Sequence, residues 1–353
     1  MSVFKNERGT WTAKFYYKDW TGQKRQKKKE GFSTKKEAVA FENDFLGKCS
    51  NTPDVLFKDI CVLYLDDCRA RLKPTTMSTK ENTLNKQILP YFGDMPINAI
   101  TINTVRSWQN NLMASDEKYS GTFQRACHNQ LSSVFNFACK YYNLPSNPAR
   151  DCGSIGCKRR DTITFWTYKE FREFIENVSD KPMSDVAFSI LFYSGIREGE
   201  LLALTLNDFD FEKNLMNITK TYARLNGNDI IQSPKTVNSR RTVTMPPEIL
   251  DKVKNYAESV EGYTPDQRLF PVTRKYLHYE MARAAKKTGM KKIRVHDIRH
   301  SHASLLIDMG FSPLLISERL GHEDVSTTLS IYSHLYPNKQ GEVAERLSEL
   351  IRS

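Results

Sequence analysis

"HDIRHSHASLL", residues 296–306, sets two histidines four apart with an acid directly after the first. On a helix His296 and His300 share one face, the arrangement of a zinc-protease motif in which Asp297 replaces the usual glutamate. Arg299 falls on that same face, and a guanidinium is a poor neighbour for a zinc ion. The alternative is a phosphate site, where the same arginine becomes a ligand. A longer zinc motif wants a third histidine at 306, where Leu306 stands; otherwise the metal has to recruit Glu318 or Glu323 from downstream. Asp297 also reaches a water less well than a glutamate does.

Composition narrows the choice. The chain has 353 residues, enough for two or three domains, with 39% hydrophobic and 26% charged residues, ordinary proportions for a globular protein. Its longest uncharged apolar run, Val186 to Ile196, is eleven residues and too short to cross a bilayer. The beginning, "MSVFKNERGTW", has no apolar signal core, so a cytoplasmic protein without a membrane partner is expected. Seven cysteines (Cys49, Cys61, Cys68, Cys127, Cys139, Cys152, Cys157) are odd in number and form no C-x-x-C pair, which points away from a disulfide framework or a zinc knuckle. A net charge of +11 favours a polyanionic partner, nucleic acid ahead of an acidic membrane surface.

The charge is uneven: residues 1–50 carry twelve Lys and Arg against six Asp and Glu, which is +6 of the +11. "TWTAKFYYKDWTGQKRQKKK" reads as two strands, Phe15 and Tyr17 alternating with Lys14, Tyr16 and Lys18, joined by a turn at Trp20 to Gly22. A helix over Thr34–Gly47 follows, with Ala38, Phe41 and Phe45 on its apolar side. A twisted basic ribbon fits a DNA groove, and Lys14, Tyr16, Lys18, Lys24, Arg25, Lys27 and Lys28 are its expected DNA-facing side chains; the alternative is a merely solvated hairpin. Residues 55–148 show helical periodicity in "LFKDICVLYLDDC", "TLNKQILPYF", "TVRSWQNNLM" and "QLSSVFNFACKYY", punctuated by Pro74, Pro90, Pro96 and Pro145. A Pro- and Gly-rich linker is expected over 149–164. Beyond it come a buried helix near 184–194, strands at "LMNIT", "DIIQS" and "RTVTM", a helix near 247–260, and three closing helices. Gly310 ends the first of those, Ser312-Pro313 opens the second, Gly321 ends it, and Asp324 caps the third, which carries Tyr332.

"SGIREGELLAL" places Arg197 after a glycine turn at the mouth of a helix, where its fork joins free backbone N–H groups in a spot suited to an anion; the competing reading is a surface ion pair with Glu200. Lys235, in the turn of "SPKTVNSRRTVTM", is an ordinary solvated lysine unless a departing oxygen needs a proton there. "ISERLGHEDVSTTLSIYSHL" has a helix-turn-helix outline, yet its second helix would turn Glu323 and Asp324 toward phosphates. Taken together, Arg197, Lys235, Arg299, His300 and His322 supply cations and donors, and Tyr332 an oxygen nucleophile. Phosphoryl transfer needs that inventory, because preorganised cations must meet the charge growing on the non-bridging oxygens.

The ordered series Arg197, Lys235, His296, Arg299, His300, His322, Tyr332 resembles the tyrosine recombinase, or phage-integrase, family. "SGIREGELLAL" is similar to its first arginine box, "HDIRHSHASLL" to its H-x-x-R-H box, and "LGHEDVSTTLSIYSH" to the box leading to the nucleophile. "GTWTAKFYYKDWTGQKRQKKKEGFSTKKEA" is similar to the arm-type domain of integrases from mobile elements of Gram-positive bacteria. The resemblance implies a multidomain α+β fold. Residues 1–50 would be an arm-type DNA-binding domain of a small β-sheet plus helix, 55–148 a helical core-binding domain, and 165–353 a mainly helical catalytic domain with a small antiparallel sheet.

It further implies that Tyr332 attacks the scissile phosphate to form a 3′-phosphotyrosyl bond and release a 5′-hydroxyl. Arg197 and Arg299 would clamp the non-bridging oxygens, His300 and His322 would donate to them or assist proton transfer, His296 would be a further donor, and Lys235 would protonate the leaving oxygen. The linkage stores the energy of the broken bond, so no ATP, metal or other cofactor is implied. Implied partners are double-stranded DNA with core-type and arm-type attachment sites, a homotetramer that passes through a Holliday junction, and a directionality factor. "EVAERLSELI" would dock on a neighbouring copy or pack within its own domain. Gly199 stands where many relatives have serine, and Tyr336 is a second tyrosine, disfavoured because Pro337 follows it. Rival functions are a type IB-like topoisomerase and a DNA-binding protein with a decayed site.

Overall fold

Alternating side chains make the N-terminal residues a sheet. The computed structural model describes residues 2–7, 9–18, 24–51, 55–114, 119–157, 164–234, 239–335, 348–349 and 351–352. In it β1 (Val3–Lys5), β2 (Trp11–Lys18) and β3 (Lys24–Phe32) pair antiparallel in that order. The expected turn at Trp20 to Gly22 lies outside the described residues. Val3, Ala13 and Phe15 face α1 (Lys35–Asn51) and bury against Ala38, Phe41 and Phe45, with the Phe15 ring 5.4 Å from that of Phe45. Thr34 starts this helix as expected: its hydroxyl accepts from Glu37 N at 3.2 Å while the Glu37 carboxylate accepts from Ser33 N at 3.1 Å.

The described residues between 55 and 152 are mostly helical. The elements are α2 (Phe57–Arg69), α3 (Pro74–Thr83), a π-turn (Leu84–Ile88), α4 (Leu89–Phe92), α5 (Ile102–Ala114), α6 (Gly121–Tyr141) and α7 (Pro148–Cys152). Phe57, Phe92, Trp108 and Phe135 form their aromatic core. The π-turn lies directly before Pro90, which has no N–H to continue the ladder, and the Gln87 carbonyl accepts the Trp108 indole N–H at 2.9 Å.

The expected linker over 149–164 starts too early. Ala149, Cys152 and Ile155 are buried in the helical core, Gln109 donates to the Gly153 carbonyl at 2.8 Å, and Arg106 donates to the Cys152 carbonyl at 2.7 Å. Glycines and prolines that read as a flexible connection instead let the backbone lie close against α6. Gly156 has φ +71°, and a Cβ there would stand 1.9 Å from the Gly121 carbonyl oxygen. Residues 158–163 lie outside the described set.

The second unit, residues 162–353, is built on α9. Its first helices are α8 (Tyr168–Val178), α9 (Pro182–Ser194) and α10 (Glu198–Leu201). The strands are β4 (Phe209–Asp210), β5 (Leu215–Ile218), β6 (Thr221–Leu225), β7 (Asn228–Gln232) and β8 (Arg241–Thr244). The closing helices are α11 (Pro247–Ser259), α12 (Arg274–Thr288), α13 (Asp297–Asp308), α14 (Pro313–Leu320) and α15 (Val325–Tyr332). α9 is apolar on every side, as a central helix must be, and Phe192 stacks on Phe171 of α8 at 3.7 Å. β4, β5 and β8 form one antiparallel sheet, while β6 and β7 form a separate hairpin. The three closing helices end and begin where their punctuation says: Gly310 and Gly321 take positive φ, Ser312 caps Leu315 N, and Asp324 caps Ser326 N. Among the described residues no helix is long and apolar enough to cross a membrane.

Gly156→Ala tests the docked segment. Positive φ and the Gly121 clash act together, so the helical unit should lose about 2 kcal/mol or more, read as a lower urea midpoint of its transition. An unchanged midpoint would return residues 149–157 to the linker.

Candidate active site

Gly195 ends α9 in the left-handed conformation, and a Cβ there would meet His302 Cδ2 at 2.5 Å. The chain reverses at this glycine and delivers Arg197 to the N-cap of α10. Arg197 donates to Glu200 Oε1 at 2.8 Å and to the Gly321 carbonyl at 3.2 Å, and its own N–H donates to Glu200 Oε2 at 2.9 Å. The expected Arg197–Glu200 pair therefore forms, but it is no surface pair, since the Glu200 side chain is only 2% exposed. Arg241 of β8 donates to the same carboxylate at 3.1 Å and to the Arg319 carbonyl at 2.8 Å. Burial pushes the Glu200 carboxyl up, but Arg241 and Arg197 outweigh it and hold the group below its usual range.

Arg299 enters the cluster from α13 and is nearly buried. Its Nη1 donates to the Gly195 carbonyl at 2.8 Å, whereas Nη2 is buried with no partner among the described residues. Burial, then the charges of Arg197 and Arg241, depress its pKa to about 9. A buried guanidinium with an orphaned donor and cationic neighbours is an anion site by its own energetics.

The histidines surround this charge. His296 is the N-cap of α13, and its ring meets that of His300 edge-on at 5.7 Å. His322 follows Gly321 at the α14 terminus, and its Nδ1 lies 2.8 Å from the hydroxyl of buried Thr328. With that hydroxyl donating, Nε2 keeps the ring proton. Burial, then the arginines, drives His322 to about 3; burial, then His296, drives His300 to about 4. Tyr332 is 1% exposed, packed with Ala303, Ile307, Ile316 and Leu320, and its hydroxyl lies 2.6 Å from His300 Nδ1. Burial raises its pKa, with Arg299 opposing.

Arg197, His296, Arg299, His300, His322 and Tyr332 thus lie in one cluster. Lys235, Tyr336 and most of "EVAERLSELI" lie outside the described residues. Asp297 faces away from the zinc role: Arg294 grips it at 2.6 Å, and among the described residues no three His, Cys, Asp or Glu side chains are placed to hold a metal ion. Sequence reading missed Arg241, Thr328, His302 and Arg319. The last two pair at 3.1 Å, and Arg319 also donates to the Tyr193 carbonyl at 2.9 Å.

The N-terminal candidates divide by strand parity. Lys14 pairs opposite Lys28, Tyr16 opposite Gln26, and Lys18 opposite Lys24, on the face away from α1. Tyr16 is 60% exposed with Lys24 Nζ 4.8 Å above its ring, and Lys28 pairs with Glu30. The Lys18 side chain lies outside the described residues. Arg25 and Lys27 pair opposite Tyr17 and Phe15 on the helix side, where Lys27 Nζ sits 5.3 Å from the Phe45 ring.

Buried neutral imidazoles make the second unit acid-sensitive. His302 is depressed to about 3 by burial, then by Arg319, so the unfolded chain takes up its proton below about pH 6.5 and the folded chain does not. Stability is then full above that pH and lost as pH falls, by about 2 kcal/mol for this residue between pH 7 and 5. His302→Gln should flatten that limb in urea titrations; equal wild-type midpoints at pH 7 and 5 would refute the neutral assignment.

Known proteins match this chain in sequence and in fold. Residues 162–339 match the phage integrase family, residues 56–113 a phage-integrase N-terminal SAM-like domain, and residues 1–49 an arm DNA-binding domain. The ICEBs1 integrase of Bacillus subtilis (strain 168) is 30% identical over 375 residues, covering 99% of this chain and all of that one. Among solved structures, the Tn1549 transposon integrase in complex with transposon right end DNA matches 85% of this chain and 100% of its own, with a TM-score of 0.68 at 18% identity. A lambda integrase dimer bound to a COC′ core site matches 96% of this chain and 95% of its own, with a TM-score of 0.61 at 16% identity. The chain belongs to the phage integrase family of tyrosine recombinases, enzymes that break and rejoin DNA strands in site-specific recombination.

Proposed function

We propose that Tyr332 cuts one strand of an attachment site by attacking the scissile phosphate, forming a 3′-phosphotyrosyl bond and releasing a 5′-hydroxyl. The observation that carries this reading is the orphaned Arg299 Nη2 in the cluster that also holds Tyr332 and His300. Arg299 and Arg197 bind the non-bridging oxygens, and His322 adds a hydrogen bond through the nitrogen that Thr328 leaves free. His296 is a further donor. Lys235 protonates the leaving 5′-oxygen, a role that rests on the family motif alone.

The covalent linkage keeps the bond energy, so religation to a new strand needs no nucleotide cofactor. Two rounds of exchange on a tetramer pass through a Holliday junction and integrate or excise the element in the bacterial cytoplasm, with direction set by a partner protein. Residues 1–50 read arm-type sites, 55–148 core-type sites, and 165–353 carry the chemistry. A sheet that presents Lys14, Tyr16 and Lys24 on one exposed face supports the first assignment. That second DNA reader also favours an integrase over a topoisomerase, which has no need of one, and the retained arginines argue against a decayed site.

A nicked duplex of the core sequence repeated at the element's ends should trap a covalent adduct, and Tyr332→Phe should bind it without forming one. An adduct on that variant would move the nucleophile to Tyr336. Lys14→Ala with Lys24→Ala should lower the slope of log affinity against log salt for arm duplex by about 2, while Lys27→Ala leaves it unchanged. The reverse pattern would put the DNA on the α1 side.

A further inference from the structure

Tyr332 has to lose a proton to become a nucleophile, and burial makes that harder. His300 Nδ1 lies 2.6 Å from its hydroxyl, with the ring centroids 5.6 Å apart. His296 contacts the His300 ring, and His322 Nδ1 faces the Thr328 hydroxyl. We propose that His300, rather than His296 or His322, is the general base that takes the Tyr332 proton during strand cleavage and returns it during religation.

This assignment rests on Tyr332 being the nucleophile. The phenol O–H bond breaks as an Nδ1–H bond forms, giving an imidazolium that carries hydrogen on both nitrogens. The phenolate oxygen forms the new P–O bond, and the P–O bond to the 5′-oxygen breaks, that oxygen leaving with a proton delivered by Lys235. In religation the imidazolium returns its proton to the departing phenolate.

The surroundings suit the task. His296, Asp297, Arg299 and Arg294 face His300 from its own stretch of chain, His322 from the α14 terminus, and Tyr332 from α15. Burial, His296 and the two arginines outweigh Asp297 and keep the free imidazole neutral, so Nδ1 can accept while Nε2 holds the ring proton. A DNA phosphate entering beside Arg299 adds negative charge and raises the basicity of His300 when the proton must move.

The test measures adduct formation by the full chain on the nicked core duplex. His300→Asn keeps an acceptor near the Nδ1 position but is no base. It should bind the duplex, cleave about 100-fold more slowly at pH 7, and speed up as pH rises. Replacing Tyr332 with 2,3,5-trifluorotyrosine, a far more acidic phenol, should restore the rate of His300→Asn to within tenfold of wild type and leave His296→Asn slow. If His300→Asn fails to bind, His300→Ala with imidazole in the buffer takes its place, and recovery of cleavage is expected. Wild-type rates in His300→Asn, rescue of His296→Asn instead, or no rescue in either would overturn the proposal. An adduct on Tyr332→Phe would instead overturn the nucleophile on which it stands.

Discussion

Glu200 holds Arg197 at 2.8 Å and Arg241 at 3.1 Å from inside the protein, and without it these guanidinium groups would repel each other across the cluster. Removing one partner of such a buried group typically costs about 3–5 kcal/mol, because the remaining charge is left uncompensated. The single carboxylate bonds two arginines but offsets only one of the three positive charges. Among the described residues Arg299 is anchored only through the Gly195 carbonyl, so the cluster keeps a standing excess of positive charge. The apolar packing around α9 holds that excess in place until an anion arrives.

This charge sets the state of everything near it. Neutral imidazoles beside arginines are hydrogen-bonding groups rather than extra cations, and each role depends on which nitrogen is already engaged. Thr328 occupies one nitrogen of His322, and Tyr332 meets one nitrogen of His300. On the proposed reading an incoming phosphate would do two things at once: satisfy Arg299 Nη2 and make the neighbouring imidazoles more basic. Binding and the proposed proton transfer would then be coupled through the same electrostatic excess.

What the sequence makes legible is local. Gly310, Ser312, Gly321 and Asp324 mark helix ends because capping involves residues two to five apart, and the strands of β5, β7 and β8 show in β-branched runs. Arg197 and Glu200 are readable as an i,i+3 pair. The burial of that pair is not, because it depends on Arg241, forty-one residues away from Glu200. Arg319 likewise reaches Tyr193 across 126 residues. β6 escapes notice because "TYARL" carries an arginine where a strand core is sought, and α8 and α12 because their many charges mask the apolar stripe. Residues 149–157 mislead for a different reason: glycine gives flexibility in an unfolded chain and close approach in a folded one, and composition does not distinguish the two.

Gly199 brings these strands of the argument together. A Cβ there would meet the Thr221 hydroxyl at 2.7 Å, the Tyr222 carbonyl at 3.0 Å and Arg274 Nη2 at 3.2 Å. The missing side chain leaves the space that seats β6 directly against α10. Tyr222 is fixed in turn by Asp229 at 2.8 Å and by Arg268 over its ring, which ties β7 to the same seat. β7 ends at Gln232, three residues before Lys235. The glycine two residues after Arg197 thus ties α10 to the β6–β7 hairpin through one close contact, so the position of Arg197 and the course of that hairpin are set together rather than independently.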